Sequence, residues 1–339
     1  LLGYTKKFDK MVLSKNKIQV SEKEIKDAYK KVKPEIINSL KIAAVNIERY
    51  AKFQLPNEWK KNLNEGIVVG QIVRPLDSVG CYVPGGNYPL VSSALMTVIP
   101  AKIAGVKEII VCCPKVTKEI LAACDIAGAT KVFRVGGAQA IAAMAYGTET
   151  IPKVNKIIGP GNVYVTAAKK IVYGDVGIDF LAGPSEIMII AENSNPEFIA
   201  ADMLAQAEHD VMASAILVTP SNSLAKKVKL ELEKQIKNLK TKKIAKESLE
   251  NFGAIIAVKD MDEAFEFAND FAPEHLEIMS SDESVLSKVS NAGAVFLGDF
   301  SPEAAGDYCS GPNHVLPTQG VARFRAGLSV MDFLKMPTF

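Results

Sequence analysis

The sequence predicts an α/β protein built on mostly parallel sheets. Three observations lead there. Short apolar runs alternate with helical patterns through most of the chain. One run, EIIVCC at 108–113, is apolar at every position, as expected of a strand covered on both faces. Glycine-rich turns follow several runs and open directly into helices, the punctuation of successive βα units.

The elements follow in order. Residues 20–54 begin with Ser21 and Glu24, a capping-box pair, and continue as a long helical pattern rich in Lys and Glu. GIVVGQIVRP then alternates like a strand, and SVGCYVPGG ends in a glycine pair. After EIIVCC, TKEILAACDIAG reads as a helix closed by glycine. KVFRV (131–135) is the next strand, and GGAQAIAAMAYG opens another helix. KIIGPGNVYVTAAKKIV runs from an apolar strand through a Gly-Pro-Gly turn into a helix. Beyond GIDFLAGPSE, strands are expected near 187–192, 213–219, 254–259, 276–280 and 294–298, with helices between them. The stretch 223–247 reads as one helix whose nine lysines, interleaved with glutamates, form a solvated face rather than a nucleic-acid surface. No internal repeat is visible. Two domains fit the length, with seams near residues 81 and 185.

Bulk properties narrow the function. With 339 residues, 48% of them hydrophobic and 23% charged, the chain can bury a large core without staples. A net charge of +2 gives no long-range attraction to nucleic acid or anionic membrane, so a small polar substrate is the simpler expectation. Five cysteines, an odd number with no C-x-x-C, argue against a disulfide framework and for a reducing, cytoplasmic setting. No apolar run is long enough to span a membrane, and no signal peptide opens the chain. The start at Leu1 and the ending LKMPTF read as trimmed termini.

Chemistry concentrates in a few places. VPGGNYP, VGGAQA and GPGNVYVT are glycine turns that let backbone approach a ligand and lead to helix N-termini, which favour anions. None is G-x-G-x-x-G, so each taken singly reads first as an ordinary βα turn. Together, beside Tyr82, Gln139 and Asn162, they suggest a cofactor cleft.

All three histidines lie in the second half: His209 in QAEHD, His275 in APEHLE and His314 in GDYCSGPNHVLPT. On a helix over 202–211, Gln206 and His209 share a face. Pro273 biases Ala272 away from helix, and an irregular strand entrance would let Glu274 and His275 reach one pocket as an acid–base pair. Asp307 and His314 fall in a shaped Gly/Pro loop. Asp307 with His209 and Gln206 would make an O/N ligand set for zinc or a similar ion, although their separation in sequence makes spacing alone weak support. Cys309 also admits a thiohemiacetal role, but no histidine stands at an obvious spacing from it.

Taken together, RPLDSVGCYVPGG, VGGAQAIAAMAYGTE, IIGPGNVYVTAAK, DFLAGPSEIMIIA, QAEHD, APEHLEI and GDYCSGPNHVLPT resemble the histidinol dehydrogenase family, in order and spacing, across nearly the whole chain. The resemblance implies two incomplete Rossmann-like domains: an NAD-binding one over 81–185, and a discontinuous substrate and metal domain over 1–80 and 186–325. Residues 326–339 would begin a C-terminal segment. It implies oxidation of L-histidinol to L-histidine through histidinaldehyde, with two NAD+ and one water, in a zinc-containing homodimer. Tyr82, Gln139 and Asn162 would bind NAD. Ser185, Gln206, His209, His275, Asp307 and His314 would contact substrate. Gln206, His209 and Asp307 would hold zinc, and Glu274 and His275 would be the catalytic pair. The family's fourth zinc ligand, a histidine of a C-terminal segment supplied by the partner subunit, has no counterpart after His314. The chain as written is therefore expected to bind zinc weakly and to be inactive. Two other classes stay open on the residues alone: a metal-dependent hydrolase without a redox cofactor, and a non-catalytic α/β binding protein.

Overall fold

The computed structural model describes residues 1–85 and 90–339; the tip of the VPGGNYP turn lies outside them. The chain divides into two units: 1–181 with 308–315 and 328–339, and 182–307 with 316–327. This differs from the expected grouping of 1–80 with the second half. The reason is packing: α2 (Glu22–Lys31) and α3 (Pro34–Phe53) lie against α4 (Val91–Ala104) and α5 (Lys118–Ala127), which belong to the first unit.

The first unit opens with α1 (Leu2–Phe8), then α2 and α3. The Ser21–Glu24 capping box is present, but the expected single helix is two, because Val32 and Lys33 are extended and Pro34 starts a new helix. Proline removes an N–H that a first-turn residue does not need, so it restarts a helix more readily than it continues one. A hairpin follows, β1 (Trp59–Asn64) and β2 (Ile67–Gln71), whose first strand is exposed at every position and was not foreseen. β3 (Arg74–Pro75) pairs with β14 (Leu334–Lys335).

The unit's main sheet takes β4 (Ser78–Tyr82), β5 (Glu108–Cys112), β6 (Lys131–Phe133), β7 (Lys156–Ile158) and β8 (Gly177–Ile178) in the order β6-β5-β4-β7-β8, all parallel. Helices α6 (Gly137–Tyr146) and α7 (Val163–Val172) follow β6 and β7. Tyr82, Ile110, Phe133, Ile141, Met144 and Ile157 share one core, each contributing roughly 1.5–3 kcal/mol by burial. Cys81, Cys112, Cys113 and Cys124 are buried free thiols whose pKa burial pushes up, which keeps them protonated.

The second unit repeats the topology. Strands β9 (Glu186–Ile190), β10 (Ser214–Thr219), β11 (Gly253–Ala257), β12 (His275–Ile278) and β13 (Ala294–Leu297) are parallel in the order β11-β10-β9-β12-β13. The repeat is one of connectivity, invisible in the residues. β9 shows why its sequence is apolar from Ile187 onward: Ile187 and Ile189 enter one core, Met188 and Ile190 the other. Its helices are α8 (Pro196–Ala207), α9 (Asn222–Gln235), α10 (Lys242–Phe252), α11 (Met261–Phe271) and the short α12 (Glu303–Tyr308), whose last residue already belongs to the first unit. The lysine-rich stretch is thus two helices, separated by a 3-10 turn at Ile236–Asn238 and an extended Leu239.

Candidate active site

In the second unit α8 follows β9 and returns toward the edge where the parallel strands begin. α8 ends at Ala207, with Glu208 as its cap. His209 therefore lies just past the helix rather than on it, tied back by its N–H to Gln206 O at 3.1 Å. α11 ends at Phe271, and its cap, Ala272, is a non-glycine residue in the left-handed region at φ 56°. Pro273 and Glu274 then lead into β12, whose first residue is His275. Such a backbone at a non-glycine residue costs on the order of 1 kcal/mol and marks a constrained junction. No cis peptide is involved.

The backbone of Glu186 holds the expected acid–base pair. Its N–H donates to Glu274 Oε2 at 2.9 Å, and its carbonyl accepts from His275 Nδ1 at 3.0 Å. A carbonyl can only accept, so Nδ1 carries the hydrogen and the lone pair of a neutral imidazole falls on Nε2. Nε2 has no hydrogen-bond partner; Glu303 Oε1 and Asp307 Oδ1 stand 3.7 Å away. Both members are buried, and Glu274 Oε2 lies 3.8 Å from Nδ1. Burial pushes Glu274 up to about 7. Burial opposes protonation of His275, but Glu274 first, then Asp307 and Glu303, carry it up to about 10 in the metal-free chain. A cation on these carboxylates would cancel part of that field.

A second cluster adjoins the first. A ring nitrogen of His209, a Glu303 oxygen and an Asp307 oxygen lie within 4.8 Å of one another. His209 Nδ1 faces the carbonyl of Ala205 at 2.9 Å, which leaves Nε2, 3.9 Å from Asp307 Oδ2, free to donate its lone pair. That is how a metal-binding histidine is commonly oriented. Gln206 is 0% exposed, yet neither its amide oxygen nor its nitrogen has a partner. A buried amide without a hydrogen bond costs about 1–3 kcal/mol. An imidazole and two carboxylates are chemically suited to a divalent ion such as zinc, and an unsatisfied amide oxygen is of a type that such an ion also accepts.

Asp307 was expected in a loop; it lies in α12 together with Glu303, four residues earlier on the same face. Glu303 was missed by sequence reasoning, although the SPEAAGD spacing carried that signal. Beneath it Glu277, two residues along β12 from His275, accepts the Glu303 N–H at 2.8 Å. Burial, and then the Asp202 carboxylate of α8, push Glu277 up to about 9. Glu277 thus ties β12 to the helix that carries Glu303 and Asp307. Ser185 lies at the entrance to β9, its carbonyl accepting from Ser214 N–H. His314 lies in the 308–315 segment of the first unit.

The first unit places the three other expected residues at the carboxyl ends of its strands. Tyr82 ends β4, and its hydroxyl accepts from Gly137 N–H, at the start of α6, at 3.0 Å. Gln139 stands in the first turn of α6, its Nε2 bonding Asp9 Oδ2 at 3.2 Å. Asn162 caps α7, with Oδ1 accepting from Tyr164 and Val165 N–H. β4 and β7 are the adjacent strands from which the strand order runs outward in opposite directions. The carboxyl side of such a switch point is where nucleotides bind in doubly wound sheets. In the second unit, by contrast, Glu274, His275 and Glu186 gather where the strands begin.

Comparison with known proteins bears on the family and the fold. The family model for histidinol dehydrogenase matches residues 1–339. Histidinol dehydrogenase of Methanothermobacter thermautotrophicus is 54% identical over 327 residues, covering 94% of this chain and 77% of that protein. That of Clostridium acetobutylicum is 52% identical over 346 residues, covering 100% and 80%. The crystal structure of histidinol dehydrogenase from Elizabethkingia anophelis superposes with a TM-score of 0.97 at 43% identity, over 100% of this chain and 79% of that one. An acetylating aldehyde dehydrogenase from Geobacillus thermoglucosidasius, at TM-score 0.55 and 14% identity over 100% of this chain and 94% of that one, shares the fold alone. With one family model spanning every residue and relatives about half identical along its length, this protein belongs to the histidinol dehydrogenase family of oxidoreductases.

Proposed function

We propose that the chain oxidises L-histidinol to L-histidine in two NAD+-linked steps through the aldehyde, as a cytoplasmic homodimer of histidine biosynthesis. The observation that carries the reading is the double anchoring of Glu274 and His275 by the backbone of Glu186. Each oxidation must remove a proton from an oxygen before hydride can leave carbon. His275 Nε2, freed by the Nδ1 tether, is the acceptor for the alcohol proton. Glu274, pushed up to about 7 by burial, suits the second step, where water must be deprotonated as it adds to the aldehyde.

Gln206, His209 and Asp307 would hold zinc, with Glu303 beside them. When bound, the metal would orient the substrate's imidazole and amine rather than take part in electron transfer. Tyr82, Gln139 and Asn162 would bind NAD+, the hydride acceptor, at the carboxyl ends of β4, β6 and β7. Ser185 and His314 would complete the substrate contacts. Ile42, Val45, Phe53, Trp59 and Leu63 are exposed in the first unit, which supports a partner subunit.

The test is direct. The chain is incubated with zinc, L-histidinol and NAD+, and NADH absorbance is followed to completion. In a version that also carries the family's C-terminal histidine segment, two NADH per histidinol are expected, and a single equivalent or no reduction overturns the assignment. A flat trace from the 339 residues alone is the outcome expected of a site without its fourth zinc ligand.

A further inference from the structure

Two buried charged residues in the first unit have no part in the chemistry above. Lys169 of α7 and Asp179, just beyond β8, are 2% and 5% exposed and form an ion pair. Both also grip one residue. Asp179 Oδ2 accepts the Gly159 N–H at 2.7 Å, and Lys169 Nζ donates to the Gly159 carbonyl at 3.1 Å. The peptide groups on either side of Gly159 are thereby fixed, and the two side chains that fix them neutralise each other.

Gly159 is held in a conformation open to glycine alone. Its φ is +115°, and a Cβ there would lie 2.3 Å from the carbonyl oxygen of Tyr82. The turn it begins, Gly159-Pro160-Gly161-Asn162, runs from β7 into the N-terminus of α7. Tyr82, pressed against Gly159 through its carbonyl, reaches the start of α6 through its hydroxyl. Three turns at the carboxyl ends of β4, β6 and β7 are therefore coupled through Tyr82 and Gly159.

A buried ion pair is a poor way to gain stability. Desolvation of two charges consumes most of their attraction, and an apolar pair of similar volume commonly does as well. What an apolar pair could not do is bond both polar groups of a glycine backbone. We propose that Lys169 and Asp179 are positioning residues for the dinucleotide: they set the 159–162 turn and the α7 N-terminus in the one arrangement that receives it. The proposal rests on the assignment of NAD+ to this unit.

Two neutral double variants test it, because neither leaves a lone buried charge. Lys169→Met with Asp179→Leu removes both charges and both grips on Gly159. Lys169→Gln with Asp179→Asn removes the charges but keeps a donor and an acceptor. NAD+ affinity is measured by calorimetry, alongside zinc content and L-histidinol affinity, which report on the other unit. The Met/Leu variant is expected to bind NAD+ roughly ten- to a hundredfold more weakly, from the loss of two buried hydrogen bonds. Zinc content and histidinol affinity should stay unchanged. The Gln/Asn variant should return most of the loss, which a merely stabilising pair would not do. Met/Leu binding NAD+ within about twofold of the parent overturns the proposal. If Met/Leu does not fold, Gly159→Ala decides: it distorts the same turn with no change of charge, and parental NAD+ affinity in it overturns the proposal. A parent chain that takes up no NAD+ removes the cofactor assignment, and this proposal with it. A parent that binds beside variants that bind equally well removes only the proposal.

Discussion

Replacing the buried carboxylate Glu277 by glutamine should stabilise the metal-free protein. Glu277 is 1% exposed, and burial followed by Asp202 raises it from 4.5 to about 9. At neutral pH the folded chain therefore retains a proton that the unfolded chain has released. The sign follows: this group's contribution to stability is complete below 4.5 and is lost as pH rises toward 9. From the unfolded value to pH 7 is about 2.5 units, or on the order of 3 kcal/mol at about 1.4 kcal/mol per unit. Glutamine has no proton to lose. It can accept the Glu303 N–H as Glu277 does at 2.8 Å, and its NH2 can donate to Asp202. Chelator-treated Glu277→Gln and parent proteins should be unfolded by urea at several pH values. The variant should gain almost nothing near pH 5 and about 2–3 kcal/mol near pH 7. A gap that does not widen with pH, or a variant less stable than the parent at pH 8, would refute the reasoning. Glu277→Leu should show the same widening with pH but lie about 1–3 kcal/mol below Glu277→Gln at every pH, because it strands the Glu303 N–H.

Two further outcomes are expected. Gln206→Leu should weaken zinc binding by roughly 10- to 100-fold in calorimetry, yet raise metal-free stability, since it removes a buried amide without partners; unchanged zinc affinity would take Gln206 out of the ligand set. Glu274→Gln should slow oxidation of the aldehyde by roughly 10²-fold or more while sparing alcohol oxidation. Equal losses in single-turnover measurements of both steps would count against dividing the work between Glu274 and His275.

Much of this architecture could be read from the residues, for identifiable reasons. The strands of both sheets were legible because central parallel strands are apolar on both faces, as β9 displays with alternate residues in opposite cores. β1 was not, since its six residues are all exposed and carry no alternation. The split of the lysine-rich stretch was hidden because neither Gly nor Pro marks it; Leu239 simply turns extended. The domain grouping failed because α2 and α3 pack on α4 and α5, and α1 on α6, a tertiary choice that no local pattern encodes. His209, His275 and Asp307 could be singled out by residue type. The role of Glu186 could not, since it acts through main-chain atoms that any residue would possess. Glu303 was recoverable from its spacing to Asp307, had the segment been read as helix.

The hairpin of β1 and β2 carries a practical corollary. Trp59 is the chain's single tryptophan, and it sits in the first unit on that exposed strand. Its emission reports on the half of the polypeptide assigned to the dinucleotide and is silent about the half that gathers the histidine and carboxylate cluster. Tryptophan emission and ellipticity recorded on one sample would thus register separate melting events wherever the halves lose order independently. A tryptophan introduced into β11 would give the silent half its own optical reporter.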